Sequence, residues 1–209
     1  MYRDRTDAGR KLAEYLLERD VDVDVVLAIP RGGLPIGRPV ADALGVPLDV
    51  VVAKKLGAPG NPELAIGAVG SDGSVWRNDD LVARLGVSEE YLERERERKA
   101  REAREKLRTY RGDREPLELA DRRVLVADDG VATGATTIAC LRYLRAADVA
   151  YVALAVPVGP PDTVTRLSSD ADDVFCLETP SYFSAVGQFY DSFAQVSDGE
   201  AVTYLDDGS

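Results

Sequence analysis

Two adjacent carboxylates, Asp128 and Asp129, stand directly after the apolar run Val124-Leu125-Val126-Ala127 and shortly before the small, hydroxyl-bearing turn Thr133-Gly134-Ala135-Thr136-Thr137. A short apolar run of this kind is typical of a strand buried on both faces, as in parallel sheets. The turn falls where the next helix, Ile138 to Arg145, has to begin. Helix starts carry N–H groups without intrahelical partners and the positive end of the helix dipole, so they take up phosphate. Acids at a strand end beside such a helix start describe a site for a phosphorylated sugar. The plainer alternative is that the acids close the strand and Thr133 or Thr136 caps the helix, with no ligand. Two carboxylates at the inner end of a buried strand repel each other and are desolvated, which favours a hydroxylated or cationic ligand that uses them. Ligands of open α/β sheets bind at that end of the strands.

A second turn of the same physical kind, Pro30-Arg31-Gly32-Gly33, follows the apolar run Val23 to Ile29 and leads into a helix from about Leu34 to Leu44. Its glycines let the backbone approach an oxyanion closely, and Arg31 adds a bidentate donor. Lys54 and Lys55, two of five lysines, stand where the next apolar run, Val46 to Ala53, ends. Gly57, Pro59, Gly60 and Pro62 in the following LGAPGNPELAIG argue for a loop rather than a helix. Within that stretch Glu63 is a candidate metal ligand, direct or through water, or a general base.

The segment VLVADDGVATGATT resembles the signature with which type I phosphoribosyltransferases bind phosphoribosyl pyrophosphate (PRPP): an apolar run, two acids and a TGxT-type loop. A P-loop would need GxxxxGK[ST], and the chain has no Gly-Lys-Ser or Gly-Lys-Thr. An aspartyl-phosphate phosphatase would space its acids by one residue. The resemblance implies an α/β fold, an open, mainly parallel sheet flanked by helices, with a small hood and a mobile loop or hairpin. One domain would span 1–209, with its core at about 21–177 and its hood drawn from 157–161 and 178–196. Asp128 and Asp129 would bind the ribose 2′ and 3′ hydroxyls, and Ala132, Thr133, Gly134, Ala135, Thr136 and Thr137 would cradle the 5′-phosphate. Arg31, Gly32 and Gly33 would hold the pyrophosphate, in a turn that often carries an unusual cis peptide in this family. The stretch after Lys54 and Lys55 corresponds to the mobile loop, with a basic residue reaching the pyrophosphate. Mg²⁺ is the implied cofactor, held mainly through PRPP, with Asp128, Asp129 and Glu63 as candidate protein ligands.

The implied reaction transfers the phosphoribosyl group to an acceptor, usually nitrogen, and releases pyrophosphate. Arg31, Lys55 and the metal ion would stabilise the leaving group, while Asp128 and Asp129 favour the oxocarbenium character of the sugar. Tyr182, Phe183, Phe189 and Tyr190 are placed to stack on a flat acceptor, or else form a satellite hydrophobic cluster or a dimer contact. Gly130 stands where a large apolar residue is more usual, and Ala135 where a second glycine is common. The pattern is most similar to uncharacterised predicted phosphoribosyltransferases carrying DDGxATGAT. No hood motif of the adenine, hypoxanthine, uracil or orotate enzymes is present, so the acceptor stays open. A non-catalytic PRPP sensor is one rival reading, and a phosphohydrolase or phosphorylase acting on a sugar phosphate or nucleotide is another.

The whole composition narrows these choices. With 209 residues, 45% of them hydrophobic, the chain suits one domain with a substantial core. It has no histidine, which removes Ser/His/Asp and Cys/His machinery and histidine metal sites together. Against 37 acids stand only 26 lysines and arginines, and the net charge of −11 argues against a nucleic-acid surface. Positive charge must therefore be gathered locally if the ligand is an anion. Cys140 and Cys176 are isolated and read as reduced core residues. No apolar run approaches the roughly 18 residues of a membrane span, and MYRDRTDAGRKLAEYL is not a signal peptide, so small-molecule partners and a cytoplasmic location are expected.

Around the site the spacing predicts a helix over Asp7 to Arg19 capped by Thr6, a hairpin over Ile66 to Trp76 turning at Asp72-Gly73, strands at Val149 to Val156 and Val174 to Leu177, and a short helix at Thr163 to Leu167. Ser88 to Arg108 is dense in i,i+4 pairs such as Glu97 with Arg101. It is either a partner or homodimer helix or a solvated helix with a thin apolar stripe. Ser197 with Glu200 forms a capping box before a last short helix.

Overall fold

Five apolar strands, β1 (Val25–Ala28), β2 (Leu48–Val50), β6 (Arg123–Ala127), β7 (Tyr151–Val158) and β8 (Asp173–Glu178), pair in parallel in the order β2-β1-β6-β7-β8. The computed structural model of the chain describes residues 1–112, 114 and 117–206, the side chain of Glu63 excepted. Both sheet faces are covered, which is why the strands read as unbroken apolar runs. Leu27, Val126 and Leu154 face α5 (Ala135–Ala146) through Leu141 and Leu144. Val26, Leu125 and Ala153 face α1 (Arg5–Leu17) and α2 (Gly33–Leu44) through Leu12, Ile36 and Val40. The result is an open parallel sheet flanked by helices, as the resemblance implied.

Strand order reverses between β1 and β6: β1 is followed through α2 by β2 on one side, while β6 is followed by β7 and β8 on the other. Such a switch point opens a crevice at the carboxyl ends of the two strands. Both candidate turns emerge there, 30–33 after β1 and 128–134 after β6.

Three expectations are corrected. The run Val46 to Ala53 is not one strand: β2 stops at Val50, and Ala53 opens a second sheet, antiparallel β3 (Ala53–Ala58), β4 (Asn61–Gly70) and β5 (Val75–Arg77). The stretch expected as a loop after Lys55 is therefore a hairpin joined to the expected Asp72-Gly73 hairpin. Register shifts around Gly57 absorb its irregular residues, and Pro62 lies outside the segment of β4 that pairs with β5. The hood candidate 157–161 is also displaced, because Pro157 and Val158 complete β7 inside the core sheet and Pro161 begins α6 (Pro161–Leu167). Finally, α1 is capped by Asp4, whose carboxylate accepts from the Asp7 N–H at 2.8 Å, not by Thr6.

A short helix, α3 (Asp79–Leu85), precedes the long charged helix α4 (Glu89–Arg111), capped by Ser88 as expected. Glu97 pairs with Arg101 at 3.9 Å, whereas Arg98 bridges Glu95 and Glu102 at 2.6 and 2.9 Å. Ser197 accepts from the Glu200 N–H and opens α7 (Asp198–Asp206). Cys140 and Cys176 are free thiols, in α5 and β8. Among the described residues no helix is long and apolar enough to cross a membrane.

Candidate active site

The two turns meet tightly. A Cβ on Gly33 would stand 2.5 Å from the Ala127 carbonyl oxygen and 3.2 Å from Asp128 Cα, and one on Gly32 would collide with the Asp129 carboxylate. Glycine is required at both places so that α2 can start against the end of β6. Neither α2 nor α5 has a side-chain cap, and Gly134, the residue before α5, takes φ 70°. A left-handed residue there turns the chain abruptly into the helix, which suits glycine. Two helix starts without side-chain caps thus lie beyond the carboxyl ends of β1 and β6, each with the positive end of its dipole there. The peptide bond between Pro30 and Arg31 is cis.

Within the phosphate-loop candidate, Ala132, Thr133, Ala135 and Thr136 are exposed while Gly134 and Thr137 are buried. The loop is fixed from behind by α6. Thr163 Oγ1 donates to the Ala132 carbonyl oxygen at 2.9 Å and Arg166 to that of Thr133 at 2.5 Å, leaving the Thr133 and Thr136 side chains on the open side.

The two acids differ in what they touch. Asp128 accepts from the Asp129 N–H at 2.9 Å, and burial, then the neighbouring Asp129 charge, raise its pKa well above the usual carboxylate range. Asp129 is also raised by burial, but Arg5 opposes the shift. Arg5 Nε lies 2.7 Å from Asp129 Oδ2, with the two side chains only 12% and 15% exposed. The same guanidinium donates to the Ala194 carbonyl oxygen at 2.8 Å and lies 3.8 Å from the centre of the Phe193 ring. Tyr190 adds a hydrogen bond from its hydroxyl to the Asp129 carbonyl oxygen at 2.6 Å.

That contact redefines part of the aromatic segment. Tyr190 is 6% exposed and packs between Tyr2 and Phe193, with centroids 5.4 and 5.0 Å away, so it braces Asp129 rather than presenting a face for stacking. Phe183 and Phe189 stack on each other at 5.4 Å, and Tyr182 is exposed.

Arg31 reaches Asp198 at 3.6 Å. Lys54 and Lys55 lie half-buried on β3, where the pleat sends successive side chains to opposite faces. The charge of Lys54 opposes that of Lys106. Lys106, on α4, was not anticipated: its ammonium donates to the Pro30 carbonyl oxygen at 3.2 Å, and burial followed by Lys54 pulls its pKa below the usual lysine range. Arg5 was missed too. Each lies far along the chain from what it touches, and the only sequence signal was that Lys106 is one of five lysines. Glu63 belongs to β4, but its side chain is outside the described residues, so its proposed role has no geometry.

Paired acids and two helix starts without side-chain caps thus lie together across the switch point of a parallel sheet. The phosphoribosyl transferase domain family matches residues 2–193, and the chain belongs to that family. It is 43% identical over 206 residues to a Mycobacterium tuberculosis H37Rv protein named "Putative phosphoribosyl transferase Rv0571c", with the same identity to the counterpart in strain CDC 1551. The match covers 99% of this chain but 46% of either relative, so the chain spans about half their length. It is also similar to the crystal structure of the protein TT1426 from Thermus thermophilus, with a TM-score of 0.92, 40% identity and coverage of 100% of this chain and 99% of that one.

Proposed function

We propose that the chain is a phosphoribosyltransferase that uses PRPP, with Mg²⁺, to transfer a phosphoribosyl group to a nitrogen acceptor and release pyrophosphate. The observation that supports this reading is the packing of the Gly32-Gly33 turn directly against Ala127 to Asp129, which brings the start of α2 up to the acid pair. The 5′-phosphate lies on the start of α5, between the backbone N–H groups of Ala135 to Thr137 and the hydroxyls of Thr133 and Thr136. Asp128 and Asp129 hold the ribose hydroxyls, Asp129 through the oxygen that Arg5 leaves available. Arg31 and Lys54 face the pyrophosphate, with Lys55, turned to the other face of β3, in a supporting position. Their charge favours the leaving group while the acids favour developing positive charge on the sugar, so the ends of the crevice stabilise opposite charges in the transition state.

The donor set suits a hard cation. Among the described residues no three acid, cysteine or histidine ligands converge, and the nearest oxygens are those of Asp128 and Asp129. An ion here takes most of its ligands from phosphate and water, the habit of Mg²⁺. When bound it supplies charge neutralisation at the pyrophosphate oxygens. Acceptor identity is left to the surface between the hood segment 178–196 and the crevice.

The test is to incubate the protein with PRPP and Mg²⁺ and a panel of bases and small amines, following pyrophosphate release with and without each. Acceptor-dependent release supports the transferase. Tight PRPP binding with no turnover on any acceptor supports the sensor instead, and failure of PRPP to bind sinks both.

A further inference from the structure

In the last turns of α4, Arg104, Glu105, Arg108 and Thr109 are exposed, while Lys106 is half-buried and Tyr110 is buried. Lys106 and Tyr110 are four residues apart and share one helix face. Lys106 donates to the Pro30 carbonyl oxygen at 3.2 Å, while the Tyr110 hydroxyl donates to Asp198 at 2.9 Å. Asp198 in turn holds Arg31 at 3.6 Å. Through these contacts one face of α4 reaches both ends of the cis peptide, Pro30 by its carbonyl and Arg31 by way of Asp198. The next residue, Arg111, anchors the helix to β2 by two bonds to Asp49, at 3.2 and 2.5 Å, with side chains 13% and 10% exposed.

Lys106 also completes a cluster of positive charge. The charges of Lys54 and Arg31 oppose its ionisation, and that of Asp128 favours it. Like charges that act on one another in this way, in a chain of net charge −11, are relieved by a polyanion bound beside them.

We propose that Lys106 is a further binding residue for the pyrophosphate end of the donor, and that the Lys106–Tyr110 face of α4 positions the Pro30–Gly33 turn to receive it. This rests on PRPP being the donor. Titration calorimetry with Mg²⁺-pyrophosphate, Mg²⁺-PRPP and ribose 5-phosphate separates the two readings, because ribose 5-phosphate lacks the pyrophosphate. In Lys106→Gln, affinity for pyrophosphate and PRPP falls about 10- to 100-fold, the range of a charge-assisted hydrogen bond. Its ribose 5-phosphate affinity stays at the wild-type level, and the salt dependence of pyrophosphate binding becomes shallower. Lys106→Arg, which keeps the charge and a donor, stays within about threefold of wild type by the same reasoning. Tyr110→Phe weakens pyrophosphate binding about threefold through Arg31 and leaves ribose 5-phosphate alone, as the loss of one neutral hydrogen bond suggests. Wild-type pyrophosphate affinity in Lys106→Gln, or an equal loss for ribose 5-phosphate, overturns the binding role. An unchanged Tyr110→Phe overturns the positioning role. Wild-type protein that binds neither PRPP nor ribose 5-phosphate overturns the donor reading itself.

Discussion

Replacing Arg5 by alanine should unsettle the molecule more than any surface arginine does. Arg5 is 12% exposed and its partner Asp129 15% exposed, at 2.7 Å, so removing the guanidinium leaves a largely buried carboxylate uncompensated. Breaking such a pair from one side costs about 3–5 kcal/mol, against at most about 1 kcal/mol for an exposed ion pair. The lost contact with the Phe193 ring adds about 1 kcal/mol, while partial protonation of Asp129 and inward movement of water return some of the cost. A net loss of about 3 kcal/mol follows, which for a chain of this length lowers Tm by about 6–12 °C. Urea denaturation and calorimetry on Arg5→Ala, Asp129→Ala and the double variant measure it. The double variant should be more stable than the sum of the single losses implies by about 2 kcal/mol, because deleting both partners leaves no orphaned charge. A single loss below about 1 kcal/mol with strictly additive effects would refute the view that Arg5 holds Asp129 in place.

Asp128→Asn should weaken PRPP binding while leaving the fold as stable or more so. Because burial raises the Asp128 pKa, the stability its protonated form contributes is complete below the usual carboxylate pKa of about 4 and is lost as pH rises through the folded value. The amide cannot lose that proton, so the variant's advantage in Tm should widen from acid to neutral pH; a constant difference would contradict the direction of the shift. Gly33→Ala should cost at least about 2 kcal/mol and disturb both turns, since its Cβ would meet backbone rather than a yielding side chain; a wild-type melting curve would refute the close packing. Burial pushes the thiols of Cys140 and Cys176 up to about 12 and about 11, so the native protein should react slowly with disulfide reagents at pH 8 and fully once unfolded. Rapid reaction of two thiols in the native state would count against both placements.

The turns after β6 and after β1 were legible as strand-to-helix junctions because their signals are local: an apolar run, then glycines and hydroxyls at the point where a helix must start. Strand limits shifted by a residue or two, but the βα junctions stayed in place. The hairpin after Lys55 was not legible, since Gly57, Pro59, Gly60 and Pro62 are loop formers by propensity, and a bulge beside an unpaired stretch of β4 accommodates them only in three dimensions. Tyr190 was noticed for its ring, yet its hydroxyl decided its place, on the Asp129 carbonyl. The cap at Asp4 was overlooked beside an equally suitable Thr6, because both are residues that cap helices well. Arg5 and Lys106 were hidden in charged stretches where every residue looks solvated, and only tertiary contact separates them from their neighbours.

The clasp on Asp129 joins residues 5, 129 and 194, whose bonds span 124 and 189 positions of the chain. Contacts of such long range close the largest loops and belong to the slow, late part of folding. Little of this corner can form while other parts are still unfolded, and the acid pair has no local element to keep it arranged if they come apart. Amide exchange at Asp129 and Tyr190 is therefore expected to proceed mainly through global unfolding, with protection close to that of the central strands. The acid pair and the central sheet then come apart together, as one cooperative unit.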